Sequence, residues 1–295
     1  MQRFPQAQKD AAAAVEALLD ALLPQPAGPE GRLFEAMRYA VLGAGKRLRP
    51  LLVLASAELF SVARLCAERV AAAVELVHCY SLIHDDLPCM DDDDLRRGRP
   101  TVHKAFDEAT AVLAGDALLT FAFEVLAASH THGDPEVRIE LVRALAAAAG
   151  GHGMVGGQII DLAAEHQHLD LGATTRLQLL KTGAMIGFAC ESGAILGKAP
   201  PAAKHALHAY AHDLGLAFQI TDDLLDAEGS AAETGKRVGK DGAAGKATFV
   251  SLLGLEQART QAAMLAAQAA EHLDLFGEKA NLLREVAEFV ITRRA

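Results

Sequence analysis

Tryptophan is absent from this 295-residue chain, aromatic residues make up only 5% of it, and none of its ten prolines lies beyond Pro201. Few aromatics and only short β-branched clusters weigh against a sheet-rich fold. No apolar–polar alternation persists beyond a few residues. The scarce prolines fit the ends of long helices, since an interior proline costs about 3 kcal/mol. The four cysteines (Cys66, Cys79, Cys89 and Cys190) form no CxxC pair and no regular spacing. That excludes a disulfide framework and points to reduced thiols in the cytoplasm. No secretory signal is expected, because Glu16 and Asp20 interrupt the apolar run from Ala11 to Leu23. Nor does a run of about 18 uncharged apolar residues mark a membrane span. Basic residues are also in deficit: 28 Lys and Arg against 38 Asp and Glu, a net charge of −10. Broad binding to nucleic acid or anionic membrane is thereby excluded, although a local basic pocket is not.

What is abundant is apolar and helix-forming. Hydrophobic residues reach 51% and charged residues 22%, a balance that argues for a packed core and against disorder. Ala and Leu dominate. Helices are predicted near 8–23, 31–42, 48–60, 65–87, 106–131, 135–150, 154–165, 173–197, 201–227, 246–271 and 279–293. No linker divides the chain and no fixed-period repeat is present, so a single all-α domain over 1–295 is expected.

Two acidic clusters stand out. The first runs His84-Asp85-Asp86-Leu87-Pro88-Cys89-Met90-Asp91-Asp92-Asp93-Asp94-Leu95-Arg96-Arg97-Gly98. The second, Phe218-Gln219-Ile220-Thr221-Asp222-Asp223-Leu224-Leu225-Asp226, lies in a predicted helix. There Gln219, Asp222, Asp223 and Asp226 fall within one arc of about 100°. Carboxylates so placed repel unless a cation sits among them, and Mg²⁺, a hard ion that shares its sphere with substrate phosphate, is the natural candidate. An EF-hand fails, because Arg96 stands where a loop starting at Asp91 needs glycine. Basic groups complement the acids. Gly45-Lys46-Arg47-Leu48-Arg49 places three cations after a glycine break at a predicted helix start, which suits a diphosphate. The string does not meet the nucleotide P-loop pattern. Lys181 and Thr182 open a small-residue stretch, and Lys236, Lys240 and Lys246 follow the second cluster.

With these residues in order, the chain resembles the trans-isoprenyl diphosphate synthases (prenyltransferases), most nearly the bacterial farnesyl type. The motifs are G-K-R-x-R at 45–49, D-D-x-x-x-x-D at 85–91 with L-R-R-G at 95–98, G-G-Q-x-x-D-L at 156–162, K-T-G at 181–183 and F-Q-x-x-D-D-x-x-D at 218–226. One departure is Ala44, where many relatives have glycine. The resemblance implies a helical bundle around a central cavity, a homodimer, and two acidic motifs facing each other across the cavity mouth. It also implies head-to-tail condensation of isopentenyl diphosphate with dimethylallyl or geranyl diphosphate.

On that pattern Asp85 and Asp91 bind two Mg²⁺ and Asp222 a third, with Asp86 and Asp226 in support. Arg96, Lys181 and Lys236 hold the allylic diphosphate, with Lys246 and Gln219 nearby. Gly45, Lys46, Arg49, His78 and Arg97 serve isopentenyl diphosphate. Lys181, Thr182 and Gln219 stabilise the carbocation. His78 is seven residues before Asp85 and so shares its helical face; without the motifs it reads equally as a core histidine. Gln158 and Asp161 either line the cavity or support it.

Tyr80, about 7.5 Å below Asp85 along the helix, is the expected cavity floor that limits chain length, with Ser81 beside it. A geranyl or geranylgeranyl product needs only a different depth. A terpene cyclase is less suited, because 222–226 reads D-D-x-x-D and Lys46 and Arg49 serve a second diphosphate. An inactive scaffold would show broken motifs, and none is broken.

Overall fold

The structure is a computed structural model that describes residues 3–43, 45–164, 169–228 and 247–293. Among these, helices dominate: α1 (Phe4–Leu22), α2 (Gly31–Val41), α3 (Leu48–Leu59), α4 (Arg64–Asp85), α5 (Val102–Ala105), α6 (Glu108–Ala127) and α7 (Pro135–Ala149). They continue with α8 (Met154–Ala164), α9 (Leu171–Gln178), α10 (Ala184–Leu196), α11 (Pro201–Glu228), α12 (Phe249–Leu253), α13 (Leu255–Glu271) and α14 (Asn281–Thr292). A π-helical turn, Leu179–Gly183, joins α9 to α10, and a 3₁₀ turn, Asp274–Ala280, precedes α14. Two two-residue strands, β1 (Leu95–Arg96) and β2 (Arg99–Pro100), form an antiparallel hairpin.

The all-α expectation holds, and most predicted helices appear with shifted ends. The predicted helix 106–131 starts instead at Glu108, because the Asp107 side chain accepts from the Thr110 amide at 2.7 Å and caps it. The predicted 246–271 helix breaks at Gly254, whose φ of 81° a residue with a side chain would resist. Helix α1 begins before Pro5, a position where the missing N–H costs nothing.

The chain forms two compact units, interleaved in sequence. The first comprises Pro5–Leu54 and Val62–Val142; the second comprises Met1–Phe4, Ala55–Ser61 and Arg143–Ala295. In the first unit α4 is the core element: Val70, Ala71, Ala72, Ala73, Val74, Leu76 and Val77 are fully buried. Its main partner is α6, which presents Ala111, Ala114, Leu118, Ala122 and Leu126 at three- and four-residue spacing. The approach is close enough that a Cβ on Gly115 would lie 2.1 Å from His84 Nε2.

In the second unit α11 is central, against α10, α13 and α14. Leu207, Tyr210, Leu214, Ala217 and Ile220 form its inward stripe, and Tyr210 donates its hydroxyl proton to the Leu283 carbonyl at 2.8 Å. Two helical stretches, Glu108–Ala127 and Leu171–Leu196, are long and apolar enough to cross a membrane by length and composition. Both carry charged residues, Asp116 and Glu124 in the first and Arg176, Lys181 and Glu191 in the second, so neither is the uncharged run that a membrane span was expected to need. About half of each is also buried in the protein itself, as core helices are.

Candidate active site

In the first unit the site grows from the C-terminal end of α4. The helix stops at Asp85, and the chain folds back with Leu87 N–H bonded to His84 O and Met90 N–H to Leu87 O. The fold closes where the Asp91 amide donates to the Asp85 carbonyl at 2.8 Å. Two acids six positions apart thus become neighbours, Asp85 half-buried and Asp91 exposed. Their hard carboxylate oxygens suit a magnesium ion, which takes one or two carboxylates and completes its shell with water and phosphate.

Asp86 behaves differently from both. Its side chain is buried, and Arg96 Nε spans its two oxygens at 2.8 and 2.9 Å while Nη2 lies 2.6 Å from Oδ1. Burial lifts the Asp86 carboxyl above its ordinary range, against the pull of Arg96. Burial also weighs against the Arg96 charge, but the bond to Asp86 and the charges of Asp86, Asp85 and Asp93 outweigh it. Asp86 therefore tethers the hairpin through Arg96.

The hairpin turns at Arg97 and Gly98, with φ of 52° and 74°, the two positive values a type I′ turn requires. Glycine accepts this freely; Arg97 carries strain of about 1–2 kcal/mol. The Arg97 guanidinium rests on Gly45, where a Cβ would lie 2.7 Å from Nη1. Glycine is needed at 45 for room. Tyr39 pins the second strand: its hydroxyl donates to Pro100 O at 2.8 Å, and Arg99 stacks 4.1 Å from its ring centroid. A cleft of about 70 Å³ opens among Tyr39, Gly43, Cys79, Arg96, Arg97 and Arg99.

The three cations at 46–49 separate. Lys46 is exposed and Arg49 half-buried. Arg47 is buried and bonded to Glu75 and Glu16 at 2.6 Å each and to the Val41 carbonyl at 2.6 Å. Burial together with Arg49, Arg97, Arg96 and Arg47 holds His78 well below the usual histidine range, so the ring is neutral near neutral pH. Ser81 donates to the His78 carbonyl at 2.9 Å. Tyr80 is buried and packs edge-on to His84, ring centroids 5.7 Å apart.

In the second unit the second acidic motif splits. Asp222 and Asp226, one helical turn apart, are partly exposed. Asp223 is buried and accepts from the Phe249 amide at 2.7 Å, at the start of α12. The expected single acidic face is therefore reduced to Asp222 and Asp226. Asp222 also receives Arg293 Nη2 at 2.7 Å, and that guanidinium lies 3.9 Å above the Phe218 ring. Sequence reading gave Arg293 no role; its distance along the chain from Asp222 left no local signal.

Gln219 donates to Gln178 Oε1 at 2.7 Å. Lys181 Nζ donates to Asp161 Oδ2 at 2.8 Å, and Thr182 follows on the π-helical turn. Among the described residues, Gln158 Nε2 is a buried donor with no partner. Lys236, Lys246 and Ala44 lie outside the described residues.

Residues 30–286 match the family model described as polyprenyl synthetase. The chain is 48% identical to the farnesyl diphosphate synthase of Escherichia coli K12, covering 88% of each protein. It is 46% identical to geranylgeranyl pyrophosphate synthase 11 of Arabidopsis thaliana, over 88% of this chain and 74% of that one. The fold also matches the apo crystal structure of an FPP/GFPP synthase from Zymomonas mobilis. The TM-score is 0.91 at 53% identity, covering 98% and 99% of the two chains.

Proposed function

The chain belongs to the polyprenyl synthetase family, and we propose that it condenses isopentenyl diphosphate with dimethylallyl and then geranyl diphosphate, giving farnesyl diphosphate. The observation that carries this reading is the fold-back that seats Asp91 on Asp85 beside a hairpin bearing Arg96 and Arg97. Acids for metal and arginines for diphosphate are thus built into one turn.

Bound Mg²⁺, three ions on the family's pattern, supplies positive charge to the leaving diphosphate. Asp85 and Asp91 would hold two of the ions and Asp222 the third, with Asp86 and Asp226 in support. Arg96, Lys181, Lys236 and Lys246 bind the allylic diphosphate where its charge grows as the carbon–oxygen bond breaks. Gly45, Lys46, Arg49, Arg97 and neutral His78 hold isopentenyl diphosphate with its double bond toward the allylic carbon. Carbonyl and hydroxyl oxygens of Lys181 and Thr182, with the Gln219 amide, stabilise the allylic cation. The double bond attacks, a proton leaves C2 of the isopentenyl unit for released diphosphate, and the chain is five carbons longer.

The family match crosses both compact units, which supports one synthase domain over 1–295. A homodimer is the assembly that the family's pattern implies. Four free thiols support a cytoplasmic setting. The geranylgeranyl synthase at 46% identity keeps a longer product as the second reading. Incubation with Mg²⁺, isopentenyl diphosphate and each allylic primer, followed by chromatography, tests the proposal. Farnesyl product is expected, and no condensation with any primer refutes it.

A further inference from the structure

Helix α8 grips the π-helical turn at two points one helical turn apart. At Gly157 the turn's backbone comes so near that a Cβ would lie 2.2 Å from the Lys181 amide nitrogen and 2.5 Å from its Cα. At Asp161 the carboxylate accepts from Lys181 Nζ at 2.8 Å, with side chains 13% and 29% exposed. Gly157 and Asp161 are four residues apart and share one face of α8. The glycine admits the main chain of Lys181 while the carboxylate takes its head.

A π-helical turn inserts one extra residue into a helix and is frequent at functional sites. Here it falls on Lys181 and Thr182. Its far side is held as well: Gln178, just before it, accepts from Gln219, and Gly183 within it lies against Gly215, where a Cβ would be 3.3 Å away. A lysine ammonium has three donors on a flexible stem. Asp161 takes one of them and so fixes the direction of the other two.

We infer that Asp161 is a positioning residue, holding the Lys181 ammonium ready for the diphosphate of the allylic substrate. The identity of that anion rests on the prenyltransferase reading; the grip itself does not. With Lys181 already placed, its charge meets the leaving group without a search over rotamers. The sequence left Asp161 between cavity lining and support, and its bond to Lys181 makes it a support with a defined object.

The test is a double-mutant cycle on Asp161→Ala and Lys181→Ala, with Asp161→Asn as a variant of the same shape. Two quantities are read: affinity for inorganic diphosphate with Mg²⁺ by calorimetry, and steady-state kinetics with dimethylallyl and isopentenyl diphosphates. Asp161→Ala is expected to weaken diphosphate binding and lower kcat about tenfold or more, leaving KM for isopentenyl diphosphate unchanged. Asp161→Asn, which still accepts from Lys181, should fall between. In the Lys181→Ala background, loss of Asp161 should change diphosphate affinity by no more than about twofold. Equal losses in both backgrounds overturn the inference. If Asp161→Ala does not fold, Asp161→Asn serves in the same cycle. If the unmodified protein binds diphosphate but condenses no primer, the proposed function fails and the cycle in affinity still decides the role of Asp161. No binding of diphosphate refutes both.

Discussion

Arg47 and Glu75 form an ion pair at 2.6 Å with side chains only 1% and 2% exposed, inside the helical core of the first unit. Glu16 shares the same guanidinium. Removing one member of such a pair strands a buried charge. Glu75→Leu is expected to lower unfolding free energy by about 3–5 kcal/mol. Arg47→Met together with Glu75→Leu should recover part of that loss, Glu16 being nearer to solvent. Urea denaturation of the single and double variants checks this; equal losses in both would count against it.

Gly45→Ala should separate binding from folding. The added methyl meets the end of the flexible Arg97 side chain, 2.7 Å away, so the fold can accommodate it. Arg97 must then move off its seat. KM for isopentenyl diphosphate is expected to rise about tenfold while Tm stays within a few degrees. An unchanged KM would show that the position of Arg97 does not matter to that substrate.

His78 makes stability depend on pH. Burial, with Arg49, Arg97, Arg96 and Arg47 facing it, holds the folded-state pKa well below the ordinary 6.5. The unfolded chain therefore takes up a proton that the folded chain refuses. The stabilisation is complete above 6.5 and is lost progressively as pH falls below it. His78→Gln should remove this part of the decline, seen as a flatter Tm profile on the acid side. A profile parallel to that of the unmodified protein refutes the assignment.

Asp223 and Asp222 should part company although they are adjacent. Asp223→Ala leaves the buried Phe249 amide without its acceptor, at an expected cost of about 1–3 kcal/mol in stability. Asp222→Ala removes the carboxylate that meets the nearly buried Arg293 guanidinium, so it too should lower stability, but unlike Asp223→Ala it should also weaken Mg²⁺-dependent diphosphate binding. Thermal melts and calorimetry on the two variants read the difference.

Tyr80→Ala should lengthen the product. The ring is buried and packs edge-on to His84, and on the proposed reading it closes the space for the growing chain. Chromatography of the products is the check, and an unchanged distribution means that another side chain forms the floor.

The chain's own order of residues was enough for the helices, the absence of any large sheet, both acidic motifs and the cations near them. Helical periodicity and motif spacing are local properties, and α4 and α11 follow from them almost to the residue. The π-helical turn was not legible, because 173–197 reads as one continuous helix, while the structure places Leu179–Gly183 as a π turn packed against Gly157 and Asp161. Nor was the division of labour within each motif. Asp85, Asp86 and Asp91 look alike in sequence, as do Asp222 and Asp223, and Arg47 looks like Arg49. Tertiary structure alone told them apart, since a charged side chain's role depends on which distant partner meets it and how far water is excluded. Arg96 claims Asp86, the Phe249 amide claims Asp223, Glu75 claims Arg47 and Arg293 meets Asp222, while Asp85, Asp91 and Asp222 stay nearer to solvent than Asp86 and Asp223.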